Sequence, residues 1–156
     1  MDFKNNYKSF FVKFFATCFG LGYSPIFPGA AGVAFGTAVA YLVHPLLLFI
    51  KILIALTLIV FAVPLSTKAE ELFQERDSKK IIIDEVIGVL IATIWFTNLP
   101  AIMFVYVLFI YGLFDAIKIY PAIIFHKSKG GLGIVMDDVV AGIYTAIVIF
   151  LLLKFI

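Results

Sequence analysis

Cysteine is almost missing from this 156-residue chain: Cys18 stands alone, which excludes an intrachain disulfide and any multi-cysteine metal site. Charge is scarce too. Only 14% of residues are Asp, Glu, Lys or Arg, whereas a soluble domain is nearer one quarter charged. Arg76 is the sole arginine, and His44 and His126 are the only histidines. The net charge of +2 is too small to argue for nucleic acid. No small-residue cleavage site follows a short apolar region near Met1, so no removed signal peptide is expected.

What the chain has in quantity is apolar length. It is 63% hydrophobic, with a mean hydropathy of +1.13. Residues 30–65, 81–114 and 132–153 are almost unbroken apolar sequence, enough for bilayer spans of about 20 residues each. The expectation is an all-α, polytopic membrane helical bundle of four to five short spans with an N-terminal interfacial helix, one integral membrane domain over residues 1–156. Residues 1–22 form the interfacial segment, with Lys8 and Lys13 at the headgroups. A hairpin of two helices follows, turning at His44-Pro45, with Lys51 snorkelling toward an interface. Residues 66–80 read as a polar loop carrying an amphipathic helix capped by Ser66 or Thr67. A second hairpin, 81–97 and 100–117, turns at Asn98-Leu99-Pro100, and a polar loop (118–131) leads to a last helix over 134–153. Five spans put the N-terminus and both polar loops on one side. That side collects Lys4, Lys8, Lys13, Lys68, Arg76, Lys79, Lys80, Lys118, Lys127 and Lys129, and the positive-inside rule makes it cytoplasmic.

Six acids fall at the cytoplasmic ends of this map, although three separate stretches supply them. Asp77 precedes the third span, Asp84 and Glu85 open it, Asp115 ends the fourth, and Asp137 and Asp138 are placed in the first turn of the fifth. A carboxylate at membrane depth is costly, and normally faces a protein interior or a watery cleft. Helix capping would account for one acid per helix start, not for two adjacent pairs. Neighbours on a helix point about 100° apart, so one of each pair can face a central cleft while the other approaches from the side. Oxygen ligands of this kind suit a hard divalent cation, Mg²⁺ in particular. The catalytic candidates are Asp84, Glu85, Asp137 and Asp138, and Asp77 and Asp115 join them as metal ligands. Glycines surround the acids: Gly130-Gly131-Leu132-Gly133 runs into a helix start, where free N–H groups favour phosphate. Pro28-Gly29-Ala30-Ala31-Gly32 offers a phosphate nest or a tight helix crossing through small residues. A small cation or proton transporter would use the same intramembrane acids, but would place some nearer the bilayer midplane.

Four motifs, in order, resemble those of the phosphatidylglycerophosphatase A family over about residues 14–150. They are Ser24-Pro25-Ile26-Phe27-Pro28-Gly29-Ala30-Ala31-Gly32, Asp77 with Ile83-Asp84-Glu85-Val86-Ile87-Gly88, Asp115 with Lys118, and Gly130-Gly131-Leu132-Gly133 through Met136-Asp137-Asp138 to Gly142. The resemblance implies a Mg²⁺-dependent phosphatase of the inner membrane that converts phosphatidylglycerophosphate to phosphatidylglycerol and phosphate. Its substrate-binding candidates are Lys118, Pro28, Gly29, Gly32, Gly131 and Gly133. A phospholipid is the expected partner, nucleic acid is not, and the oligomeric state is left open. Ala30 and Val33 stand where the family has small hydroxyl residues, Gly112 where it has an arginine, and Ile119 where it has a proline. Loss of the arginine removes a bidentate phosphate donor. Lys118, Lys79, Lys80 or Arg76 supplies the charge instead, or the activity is altered. Other phosphatase chemistries lack their residues: no arginine follows Cys18 at the needed spacing, no histidine–arginine set exists, and no Asp-x-Asp occurs.

Overall fold

The computed structural model describes residues 3–155; Met1, Asp2 and Ile156, and the side chains of Phe3, Lys4 and Asn5, lie outside the described residues, Lys4 of the charge map among them. All the described elements are helical: α1 (Phe3–Ala16), α2 (Pro28–Val43), α3 (Leu48–Phe73), α4 (Ile83–Thr93), α5 (Ala101–Ile117), α6 (Ala122–Lys127) and α7 (Gly131–Leu152), with a 3-10 turn at Leu21–Tyr23. Two helices, α3 and α7, are long and apolar enough to cross a membrane; α2 and α5 are apolar but shorter. Exposure separates α3 from the core helix of a soluble protein. Leu53, Val60 and Phe61 on it are 54%, 70% and 68% exposed, an apolar face that suits lipid.

The helices turn close to where the sequence placed them at His44 and at 94–100, and differ elsewhere. No new helix is capped at Ser66 or Thr67. α3 continues unbroken through Pro64 to Phe73, and Gln74 ends it in the left-handed conformation, its N–H on the Glu71 carbonyl. The expected loop over 66–80 therefore begins eight residues late, because nothing in 66–73 breaks the helix. Thr67 bonds back to the Val63 carbonyl within α3 (2.9 Å), and Ser66 is buried. The loop after α5 holds α6, a short helix that the polar composition of 118–131 concealed.

α4 is the centre of the molecule. Every residue from Asp84 to Thr93 is buried, the pattern of a helix packed on all sides. With eleven residues it is about 17 Å long, roughly half the hydrocarbon thickness. Its shortness explains Lys51. Instead of snorkelling outward, this side chain is 2% exposed and its ammonium donates to the Phe96 carbonyl at 2.7 Å, just past the end of α4. Glycines set the helix crossings. A Cβ at Gly142 would stand 2.3 Å from the Gly88 carbonyl, and one at Gly36 2.9 Å from Val86 Cα, so α7 and α2 reach α4 at backbone contact.

Candidate functional site

The first turn of α4 carries Asp84 and Glu85 against two neighbours. α2 brings its start to them: a Cβ on Gly29 would lie 3.1 Å from Glu85 Oε1, and one on Gly32 would lie 2.9 Å from Ile82 Cβ and 3.3 Å from Glu85 Cβ. From the other side α7 presents Asp137 and Asp138, both buried. These two are not in a first turn. α7 begins at Gly131, so they sit about 9–10 Å further along the helix axis, and capping cannot account for them. α5 ends beside them with Asp115, and Lys118 closes it in the left-handed conformation (φ 49°). Together these helix ends border a cavity of about 890 Å³.

Within it the acids divide into two groups. Carboxylate oxygens of Asp84, Glu85 and Asp138 lie within 4.8 Å of one another. One oxygen of each (Asp84 Oδ1, Glu85 Oε2, Asp138 Oδ1) is buried with no hydrogen-bond partner. Three converging carboxylates without partners are costly unless a cation joins them, and an all-oxygen donor set is what hard divalent ions take. This cluster could hold a metal ion. Asp137 turns the other way. Its Oδ2 receives the Lys118 ammonium at 2.7 Å and lies 3.2 Å from His126 Nδ1. Lys118 also reaches Asp115 Oδ1 at 3.0 Å, and His126 lies 3.3 Å from Asp77 Oδ2. Burial would lower the Lys118 pKa, but the charges of Asp115, Asp138 and Asp137 and the bond to Asp137 hold it above the usual lysine range. Asp77, like Lys118, adopts a positive φ (48°), a conformation that non-glycine residues keep mostly where function or context fixes them.

All six predicted acids and Lys118, Pro28 and Gly29 border the one cavity. Gly32, which packs against Ile82 and Glu85, and Gly131 and Gly133 do not. The Gly131 N–H donates to Thr67 Oγ1 at 2.8 Å, a Cβ there would meet the Val63 carbonyl at 2.0 Å, and one on Gly133 would meet the Phe125 and Ser128 carbonyls at 2.7 Å. These glycines pack α7 against α3 and α6. Arg76 is likewise occupied: it donates to the His126 and Lys127 carbonyls at 3.2 and 2.7 Å, at the C-terminal end of α6. Lys79 does border the cavity, while Lys80 lies over the Phe73 ring, 5.2 Å from its centroid. Gly112 opens onto the cavity as well, and a Cβ there would meet nothing within 4 Å.

Two residues escaped the sequence reading. His126 looked like a loop residue because α6 was not legible. Tyr111 belongs to none of the motifs, although its spacing of four from Asp115 puts both on one helix face.

A family model described as phosphatidylglycerophosphatase A matches residues 14–153. A Haemophilus influenzae protein named phosphatidylglycerophosphatase A is 31% identical over 145 residues, covering 89% of this chain and 86% of that protein. A Bacteroides thetaiotaomicron protein named "Putative phosphatidylinositol-3-phosphatase" is 30% identical over 153 residues, covering 90% of this chain and 92% of its own length. No solved structure matches.

Proposed function

The chain belongs to the phosphatidylglycerophosphatase A family, and we propose that it is a Mg²⁺-dependent lipid phosphatase that removes the terminal phosphate of phosphatidylglycerophosphate, leaving phosphatidylglycerol. The single observation that carries the chemistry is the buried trio Asp84, Glu85 and Asp138, each with an unpartnered oxygen, beside a lysine in the same cavity. Those three residues would hold the ion, which when bound neutralises phosphate charge and lowers the pKa of a water.

The chain's own residues do the rest. Lys118 binds a non-bridging phosphate oxygen as a charge-assisted donor, and Asp115 and Asp137 fix where its ammonium points. The narrow backbone at Gly29 leaves room for the phosphate beside Glu85, since any side chain there would meet Oε1 at 3.1 Å. His126, held between Asp77 and Asp137, keeps those two carboxylates together and away from the ion. Asp77 and Asp137 thereby serve the phosphate side of the cavity rather than the metal side. The lipid tails stay in the membrane while the headgroup enters at the helix ends. In this reading that end lies on the cytoplasmic side of the inner membrane, which the lysine-rich loops support, with α1 along the interface. A transporter reading is disfavoured because the acids gather at one end of the helices instead of forming a path between the two.

The test is phosphate release from phosphatidylglycerophosphate in detergent micelles, with Mg²⁺ and with excess EDTA, alongside phosphatidylinositol 3-phosphate. Turnover of the first lipid that EDTA abolishes is expected. Undiminished turnover in EDTA would remove the metal, and preference for the inositol lipid would replace the substrate.

A further inference from the structure

Tyr111 is the one wholly buried polar side chain at the site that neither the motifs nor the proposed reaction uses. It lies on α5 one turn before Asp115, is 0% exposed, and its hydroxyl has no hydrogen-bond partner. A buried O–H without a partner is uncommon, and each instance calls for a cause. Its position supplies one. The ring fills a notch that α4 leaves at Gly88, where an added Cβ would stand 2.3 Å from the hydroxyl and 2.5 Å from the ring. The same Cβ would stand 2.7 Å from the main-chain carbonyl of Asp138. Gly88 is one helical turn beyond Asp84 on the same face of α4. The hydroxyl therefore rests where α4 and α7 meet at Gly88, one turn along α4 from Asp84.

Four buried polar atoms on these packed helices lack partners: the Tyr111 hydroxyl, and one oxygen each of Asp84, Glu85 and Asp138. The oxygens of ionised carboxylates can only accept hydrogen bonds, and the hydroxyl can donate. A phenylalanine would fill the same notch with the same ring. Nothing in the packing calls for the extra oxygen.

Taking the metal-dependent reading above as its premise, we propose that Tyr111 is a positioning residue for ion binding, its hydroxyl donating a hydrogen bond to the Asp84–Glu85–Asp138 carboxylates as they close on a divalent cation. Groups behind metal ligands fix ligand orientation, and losing one costs about 10–100-fold in metal affinity. Asp138 is the natural acceptor, because its main-chain carbonyl borders the same notch at Gly88.

The experiment compares EDTA-stripped wild type with Tyr111→Phe in detergent. Mn²⁺ is titrated in, free Mn²⁺ is followed by electron paramagnetic resonance, and the melting temperature is recorded at each point. Wild type should bind saturably. Tyr111→Phe should bind about 10–100-fold more weakly, with a metal-free melting temperature equal to or above that of wild type, since it removes an unpartnered buried hydroxyl. Equal Mn²⁺ affinity in the two proteins overturns the role of Tyr111 and leaves the metal reading standing. Wild type that binds no Mn²⁺ overturns both. A lower metal-free melting temperature with intact affinity assigns the hydroxyl to packing and also overturns the proposal. Should Tyr111→Phe not fold, the ultraviolet difference spectrum of wild type decides: ion binding must perturb a buried tyrosine, and an unchanged spectrum counts against it.

Discussion

Asp84 and Glu85 are adjacent in the chain and reach the same trio, whereas Asp137 and Asp138 are adjacent and part company. The difference lies in what each helix meets. α4 is enclosed, so both its acids find the central cleft. α7 stands at the side, so Asp138 faces inward and Asp137 faces Lys118 and His126. Asp84→Asn or Asp138→Asn is expected to lower kcat by more than about a hundredfold, the upper range for a group that merely supports a ligand. The metal-free fold should survive, since each change removes an uncompensated buried charge; phosphate release and circular dichroism check the two halves. Lys118→Ala should act mainly on KM and cost several-fold to about a hundredfold in kcat/KM, as loss of a charge-assisted hydrogen bond does. Gly112→Arg has open space to enter, so it should fold and restore part of what Lys118→Ala loses. A kinetically silent Lys118→Ala would move the phosphate elsewhere in the cavity. Cys18 makes a different point about burial. Burial, with the Asp84 charge adding to it, pushes its thiol up to about 12. In the folded protein it should resist alkylation at neutral pH and react once the protein is unfolded. Its stabilising contribution is complete below the ordinary value of 9.0 and is lost as pH rises from there toward 12.

At the scale of elements, small residues decide how closely helices approach, and through that where the acids meet. α4 and α7 touch at Gly88 and Gly142, one turn beyond Asp84 and Asp138 respectively. Gly142→Ala would force a Cβ to 2.3 Å from the Gly88 carbonyl. The helices must part, at about 1–3 kcal/mol for an overpacked core, and the trio opens with them. The melting temperature should fall and metal affinity should weaken, although residue 142 touches no acid side chain. The opposite end of the bundle has its own fastening. His44 Nε2 accepts the Leu99 N–H at 2.9 Å, tying the α2–α3 turn to the segment after α4. Burial, and to a lesser degree the Lys51 charge, holds the His44 pKa below its ordinary 6.5. The neutral ring makes the bond, so this contribution is complete above the unfolded value of 6.5 and is lost as pH falls through the folded one. The melting temperature of wild type should decline on acidification below about 6.5 more steeply than that of His44→Gln. Parallel curves would show that the ring is not the titrating group.

Seen whole, the molecule wears its apolar residues on the outside. Phe49 and Leu47 are more than 70% exposed, as is Leu42, and no soluble partner of ordinary composition would cover α3 along its length. The expected topology places the 66–80 and 118–131 segments on the cytoplasmic side and Asn98 on the other. Single cysteines at Glu71, Ser128 and Asn98 should label accordingly in intact cells. Cys18 is buried, so it need not be removed first, and Ser78 is a poor site because it is buried too. Labelling of positions 71 and 128 from opposite sides would separate the loops that deliver Asp77 and His126 to one cavity.

Sequence by itself determined that the chain is helical and apolar, where most of its turns fall, and which acids are too costly to be idle, because composition and hydropathy report directly on the solvent each segment can tolerate. It also supplied the family, since the order of short motifs survives without any knowledge of contacts. Only the tertiary structure decided which acids converge. Helical spacing gives the angle between Asp137 and Asp138 but not which of them faces Glu85; that depends on α7 crossing α4 at Gly142. Nor could sequence show that Gly131 and Gly133 are there for helix packing, that Arg76 is spent on the last carbonyls of α6, that His126 reaches Asp77 and Asp137, or that Tyr111 fills the notch at Gly88. Each of those facts is a contact between residues distant in the chain, and the pattern within one helix carries no information about what the next helix brings to it.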